Sequence, residues 1–485
     1  MASGSESKRN SPPLPLHPNP TPKVKPVSLL KLLLLGSALL TAPLAGQTAA
    51  TRPDASLLLI SVDGLRHDYL TEADKHGLQI PHLRKLWREG ARASSVRGVL
   101  PTATYPSHTT IVTGAYPARH GIAANAPFDP TGRAKGFHWY AEELKVPALW
   151  DVAAAAGYEV GSVSWPVTVG AQGIKYNIPD FAAMRSDEDA KMIRAWAGLE
   201  FMGNLARKAG PFVTDINTGT VRDWARTRYI VEIIRQNKPR VILGHFVAMD
   251  HFQHKHGPFT PQAYAALEEI DRMIGEVVAA MRGEYPRAAV CVVSDHGFSA
   301  AHQSLALDSA FVEAGLITLK AKQRTLEAAG LQDWVAMPWK SGGSAAIMLK
   351  NPADAEARRR TRTVLDQLAA DPASGIAGIL DREAIARLGG TEVAEFWVDL
   401  KPGYTFSGML GGSLVLPTGK GGTHGYAPTH PEVGSVFLLA GPGIRPGDLG
   451  EIDMRRIAPT LATFLRVPFP TAELPALELF STARP

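Results

Sequence analysis

The sequence predicts an α/β protein: a three-layer α/β/α sandwich around a mostly parallel sheet, with a small α+β inserted subdomain. Three observations carry this prediction. Short apolar, β-branched runs at 56–62, 159–165, 240–247, 288–294 and 435–440 lack the in/out alternation of a one-sided sheet, as strands buried on both faces do. Between them lie segments with apolar residues at three- and four-residue spacing, at 190–208, 222–236 and 261–281, the last with Pro261 at its start and Gly283 just past its end. Alternation of this kind builds a parallel sheet covered on both faces. Residues 301–420 break the rhythm, with helices expected at 354–370 and 382–388 and strands near 344–349 and 395–400.

The elements run in order from a targeting segment. Positions 1–26 are rich in Ser, Pro, Asn and Lys and bury too little apolar surface to offset their ordering entropy, so disorder is expected. Positions 27–44 are apolar apart from Ser28, Lys31, Ser37 and Thr41. The apolar run after Lys31 is ~10–13 residues, short of the ~20 that span a bilayer and matched to the core of a secretory signal. Ala45-Gly46 and Ala49-Ala50 offer alternative cleavage positions, and an uncleaved membrane anchor is the competing reading. Gln47 stands where a lipid-modified cysteine would follow 44–46. Residues 1–50 are therefore read as a disordered N-terminus plus signal peptide, and the mature chain as periplasmic or secreted, with no membrane span.

Composition excludes several classes. Of the 485 residues, 45% are hydrophobic, 20% charged and 7% aromatic, which is neither a disordered, a collagen-like nor a multi-span membrane composition. The net charge of +5 comes mostly from Lys8, Arg9, Lys23, Lys25 and Lys31 against Glu6, leaving the rest near +1. No stable nucleic-acid partner is expected of so neutral a body. Cys291 is the single cysteine, so intrachain disulfides and cysteine-based zinc sites are excluded. It lies in an apolar run and reads as inert core. Export without disulfides points to a bacterial periplasm or exterior.

Residues able to bind metal stand where the apolar runs stop. Asp63-Gly64 ends the first run, and Asp250 with His254 closes the third. Asp295-His296-Gly297 closes the fourth, and His424-Gly425-Tyr426 follows the irregular segment. A fifth segment, Thr104-Tyr105-Pro106-Ser107-His108, runs into a helix-like stretch with Gly114 after it. Each alone is the ordinary chemistry of a turn. Together three Asp and three His supply two sets of oxygen and nitrogen ligands, the mixture suited to Zn²⁺ when cysteine is absent, although ligand type alone leaves manganese or another divalent ion open. A threonine hydroxyl is a poor nucleophile at neutral pH and needs a base or a metal, and the N-terminal amides of a helix starting near Thr104 favour an approaching phosphate.

These motifs resemble the alkaline phosphatase superfamily, specifically its nucleotide pyrophosphatase/phosphodiesterase branch, and they occur in that branch's order. The similarity runs from about Ser56 to Leu465 and includes Thr113-Gly114, Tyr116-Pro117, His120-Gly121-Ile122 and Trp165-Pro166, with the insertion loosely matched. The resemblance implies an alkaline-phosphatase-like catalytic core over 51–300 and 421–485. It implies two divalent ions, Zn²⁺ foremost: one held by Asp250, His254 and His424, the other by Asp63, Asp295 and His296 with the nucleophile Thr104 completing its shell. Asn125 falls where the branch holds a phosphoryl oxygen. Tyr105 matches an aromatic that nucleotide-handling members stack on a base, and Trp165 is expected to wall the same region. His245 stands where nucleotide-specific relatives carry the opposite tyrosine, so the substrate class widens to other organic phosphodiesters. His108, His120 and Tyr116 are expected to support the site by packing and hydrogen bonds, and spacing from Asp250 favours His254 over His251 and His256.

The function this implies is a metal-dependent phosphodiesterase or nucleotide pyrophosphatase working on a small phosphodiester or nucleotide through a phosphothreonine intermediate. A phosphomonoesterase is the alternative; it needs extra cations, for which Arg66 and Lys175 are the distant candidates. A sulfatase is disfavoured because Thr104-Tyr105-Pro106 lacks the Cys or Ser it requires. A non-catalytic exported metal- or phosphate-binding protein would be expected to lack the nucleophile or a ligand, and all seven positions are filled.

Overall fold

The computed structural model describes residues 54–131, 136–181, 186–419 and 421–480. The segment expected to carry the signal lies outside the described residues, and no described helix is long and apolar enough to cross a membrane.

An eight-stranded sheet forms the middle layer. Its strands are β1 (Leu57–Val62), β2 (Ala91–Arg92), β3 (Val160–Val163), β4 (Tyr176–Ile178), β5 (Val241–Phe246), β6 (Ala289–Val293), β7 (Phe437–Ala440) and β8 (Gly447–Asp448), in the spatial order β8-β2-β7-β6-β1-β5-β3-β4. β1 lies between β5 and β6 and is parallel to both, while β7 is antiparallel to its two neighbours. Every residue of β1, β5 and β6 is buried, which is why these runs read as continuously apolar.

Successive side chains of β1 go to opposite faces. Leu58, Ile60 and Val62 share a core with Leu83 and Leu86 of α1 (Pro81–Glu89) and with the long helices α4 (Thr220–Asn237) and α6 (Pro261–Glu284). Leu57 and Leu59 pack in a second core with Ile111 of α2 (Thr104–Thr113), Trp150 of α3 (Leu149–Ala155) and Leu461 of α7 (Ile457–Leu465). Each fully buried Leu or Ile contributes about 1.5–3 kcal/mol, so the two cores fix the layers. The short helix α5 (Ala248–His256) follows β5 directly.

The segment after β6 builds its own structure. Strands Ala336–Lys340, Ser344–Leu349, Phe396–Leu400 and Ile376–Leu380 form an antiparallel sheet in that order, with helix Ala355–Ala370 against it. Strand Ser299–Leu305 pairs with Gly403–Phe406, Val415–Pro417 and Gly422–Thr423, tying both ends of the insertion together. The single helix expected over 190–208 is instead two, Ser186–Ala197 and Leu199–Ala209, broken where Gly198 takes a φ of +93°.

Candidate active site

The three central parallel strands deliver their ligands from one end of the sheet, as open α/β sheets do. Asp63 follows β1 and is pinned by its backbone N–H donating to Phe246 O at 2.9 Å. Gly64 then turns with φ +73°, where a Cβ would crowd Gln253 and the backbone of Asp250. β5 passes into α5, whose first turn holds Asp250 and whose last holds His254. Asp295 and His296 follow β6, and Thr104 is the first residue of α2. His424 arrives from the end of the insertion; at Gly425 φ is +84° and a Cβ would lie 1.5 Å from Ser341 O, so only glycine lets the inserted strands close on this loop.

All six predicted ligands and Thr104 meet. Thr104 Oγ1 is 3.4 Å from His296 Nε2, which lies 3.1 Å from Asp295 Oδ2 and 3.4 Å from Asp63 Oδ1. Asp250 Oδ1 is 3.5 Å from His254 Nε2 and 3.7 Å from His424 Nε2. Two groups present ligand atoms within 4.8 Å of one another: Asp250, His254 and His424, and Asp63, Asp250 and His296. Asp250 is common to both, and Asp295, expected from the sequence in the second set, is in neither group, which spacing along the chain does not show.

The chemistry of this donor set fits cations. The Nδ1 atoms of His254, His296 and His424 lie 3.1, 3.0 and 3.1 Å from the carbonyls of Gly422, Gly297 and Thr102, so each donates there and turns its Nε2 lone pair inward. Asp63 Oδ1, Asp250 Oδ1 and Asp295 Oδ2 are buried with no hydrogen-bond partner. Anionic oxygens in that condition are costly unless paired with positive charge. Burial, then the charges of Asp295 and Asp250, raise the Asp63 carboxyl well above its ordinary range. Burial opposes the Asp295 carboxylate too, but His296 and His108 beside it outweigh burial and lower its pKa. Burial and the neighbouring His296 and His254 keep His424 neutral well below its usual titration. The His296 and His424 rings stack at 3.7 Å.

Beneath the ligands is a supporting layer. His108 Nδ1 donates to Thr104 O at 2.8 Å and its Nε2 accepts from Ser61 Oγ at 2.8 Å. Ile122 N–H donates to His120 Nδ1 at 3.1 Å, leaving Nε2 to donate to Thr110 Oγ1 at 3.1 Å. Asn125 Oδ1 accepts from Tyr105 N at 2.9 Å, fixing the loop to the first turn of α2. The three rings expected to face a substrate lie in this layer. Trp165 is fully buried, edge-on to His108 at 5.1 Å. His245 donates Nδ1–H to Ser164 O at 3.0 Å and brings Nε2 to 3.1 Å from Asp63 Oδ2. Buried Tyr105 donates its hydroxyl to Asp180 Oδ2 at 2.7 Å.

Sequence reasoning missed a charged network under α5. Asp223 Oδ2 accepts from Val247 N at 2.8 Å and Ala248 N at 2.7 Å, the start of the helix that carries Asp250 and His254. Arg226 Nη1 donates to Asp223 Oδ1 at 3.3 Å and to His245 O at 3.1 Å, and its Nη2 lies 3.8 Å from Asp180 Oδ1. The network thus runs from the ligand helix to Tyr105, next to the nucleophile. The signal was present: Asp223 and Arg226 fall on the helical face of Ile230 and Ile234, where a solvated pair has no reason to stand.

A family model described as type I phosphodiesterase / nucleotide pyrophosphatase matches residues 57–427. Among curated relatives, bis(5'-adenosyl)-triphosphatase ENPP4 of Bos taurus is 30% identical over 277 residues, 56% of this chain and 53% of the relative. Human ectonucleotide pyrophosphatase/phosphodiesterase family member 5 is 36% identical over 143 residues, 28% of this chain and 29% of the relative. The chain thus spans about half the length, or less, of these curated relatives. The solved structure of human ENPP5 shares the fold with a TM-score of 0.59 at 20% identity, covering 85% of this chain and 95% of that one. An inactive form of murine ENPP5 in complex with AMP matches with the same score and identity over 88% of this chain and 100% of that one. With its model spanning the strand-end motifs from Asp63 to His424, the chain belongs to the type I phosphodiesterase / nucleotide pyrophosphatase family.

Proposed function

We propose that this protein is a metal-dependent phosphodiesterase/nucleotide pyrophosphatase, a hydrolase of phosphoric ester bonds that works through a phosphothreonine. The observation that carries the reading is the set of three unpartnered carboxylate oxygens and three inward Nε2 atoms, with Thr104 Oγ1 next to His296 of that set. Asp250, His254 and His424 would hold one divalent ion and Asp63, Asp295 and His296 a second, Zn²⁺ foremost for a nitrogen-and-oxygen set without cysteine. Bound there, such ions lower the pKa of an attacking hydroxyl and neutralise charge on the phosphoryl and leaving oxygens.

The chain's own groups do the rest. Thr104 Oγ releases its proton to solvent and forms a bond to phosphorus while the bond to the leaving oxygen breaks on the opposite side, and the leaving oxygen keeps the electron pair. The Asn125 amide, held through its Oδ1 by Tyr105 N, offers its NH₂ to a phosphoryl oxygen. Water then adds to the phosphothreonine and Thr104 departs with its proton restored. One water is consumed, and an alcohol or phosphate and a phosphomonoester are released.

The names of the relatives, a bis(5'-adenosyl)-triphosphatase and a structure in complex with AMP, support a nucleotide substrate. Neither cation proposed for a monoesterase is free: Arg66 is bonded to Asp68 and Phe298 O, and Lys175 to Glu159. The predicted leader supports export to the periplasm or exterior. The test is turnover of bis(4-nitrophenyl) phosphate, ATP and 4-nitrophenyl phosphate by zinc-loaded protein, with an acid quench to trap the covalent phosphoryl ester on Thr104, an adenylyl group when the substrate is α-labelled ATP. Diester and pyrophosphate cleavage should exceed monoester cleavage at least about tenfold; a strong monoester preference, or label absent from Thr104, would overturn the reading.

A further inference from the structure

A cavity of about 430 Å³ separates the ligand cluster from the inserted sheet. His254, His424 and Asn125 line it from the core, while Asp308, Trp339 and Lys340 line it from the insertion, with Phe128 between. Its position relative to the nucleophile is informative. Thr104 Oγ1 adjoins His296, whereas the two histidines in the cavity wall belong to the other ligand set. In-line displacement sends the leaving atom away from the attacking one, so this cavity stands on the leaving-group side.

Its lining specifies what would fit. Phe128 and Trp339 are half-buried, with ring centroids 5.7 Å apart, and offer flat apolar surface. Lys340 Nζ bonds to Asp308 Oδ2 and lies 3.4 Å from Ser407 O, leaving its third N–H unspent. Because Asp308 pairs with it, Lys340 brings a hydrogen-bond donor to the cavity wall with little net charge. Aromatic faces and one neutralised donor match a nucleoside better than a bare pyrophosphate, which carries several charges and no apolar surface.

We propose that this cavity is the leaving-group pocket, that it takes the nucleoside end of a departing nucleotide, and that Trp339 and Lys340 determine that specificity. The proposal rests on the phosphodiesterase reading above. Diadenosine triphosphate and ATP test it, because both release AMP and consume one water, yet the first expels ADP and the second pyrophosphate. In zinc-loaded protein, Trp339→Ala should lower kcat/KM for diadenosine triphosphate about 10–100-fold and leave ATP within about threefold. Trp339→Phe should recover most of the loss. Lys340→Gln should show the same bias to a smaller degree, and matching melting temperatures would exclude misfolding. Equal losses on the two substrates, or none, would overturn the pocket assignment while leaving phosphodiesterase activity standing. A wild-type protein that cleaves neither substrate would overturn the pocket assignment, and the phosphodiesterase reading as well if bis(4-nitrophenyl) phosphate is also left intact.

Discussion

The two halves of the candidate site meet water very differently. The side chains of Asp63, Asp295 and His296 are 5%, 0% and 0% exposed, whereas those of Asp250, His254 and His424 are 19%, 44% and 11% exposed. The enclosed half is held by the ends of β1 and β6, buried on both faces, and it lies against Thr104. The open half is built from one helical turn and a loop returning from the insertion, and it borders the cavity. The difference teaches that, on the reading proposed above, the sheet fixes the attacking side while the leaving side is built from a segment outside it.

The largest effect should come from the boundary. Thr104→Ala removes the only group proposed to bond phosphorus, so turnover should fall more than about 10³-fold. The enclosed half loses nothing else, and the melting temperature should stay within about 2 °C. Near-normal turnover would show that attack comes from elsewhere and that the enclosed half has no special relation to the reaction.

Ligand removal then separates the halves. Asp63→Asn should lower zinc affinity about 100-fold and stabilise the metal-free protein by about 1–3 kcal/mol, since it deletes a carboxylate that burial and two like charges oppose. The sign has a pH signature. A carboxyl whose folded pKa is raised binds more protons folded than unfolded. Its contribution to metal-free stability therefore declines as pH climbs from the ordinary value of 3.8 through the raised one. His254→Ala in the open half should lower zinc affinity comparably yet leave metal-free stability within about 0.5 kcal/mol. Calorimetric titration and denaturant curves with and without a chelator check both; equal stability changes would erase the contrast.

Acid should act through the buried imidazoles. His120 underlies α2 and is driven by burial from 6.5 to about 3, so the folded protein refuses a proton that the unfolded chain accepts. Its stabilisation is complete above pH 6.5 and is lost as pH falls from there toward 3. At pH 5 the loss should be on the order of 2 kcal/mol, read from denaturant midpoints. His120→Gln should flatten that slope, whatever it does to stability at pH 8; an unchanged slope would place the acid sensitivity elsewhere.

How much of this was legible in the sequence follows from where each feature gets its energy. β1, β5 and β6 could be read because strands buried on both faces must be continuously apolar. Their ends, with Asp63, Asp250 and Asp295-His296, could be read because a strand end is where a polar residue becomes tolerable. Strand Ser299–Leu305 could not: its polar residues are stabilised by partners up to 124 positions away, from 403 to 423. The sharing of Asp250 between two ligand groups is a matter of ångströms that spacing cannot express. Nor could the depth of Tyr105, Trp165 and His245, since a ring beside a site and a ring under it have the same sequence.

The smallest effect is the most specific to the contrast, because Asp223 touches no substrate and no predicted ligand. Its carboxylate holds the two backbone amides at the start of α5 and thereby sets where Asp250 and His254 stand. Asp223→Asn keeps the shape but weakens charge-assisted bonds to neutral ones, and it frees Arg226 from part of its pairing. The open half should drift more than the enclosed half, which shares only Asp250 with it, so zinc affinity should fall about tenfold in one step of a two-site titration and by clearly less in the other. Added to His254→Ala, the change should cost little more, because both act on the same ligand set. Equal weakening of both steps, or full additivity with His254→Ala, would mean that the halves are positioned as one unit and that their different exposure has no functional counterpart.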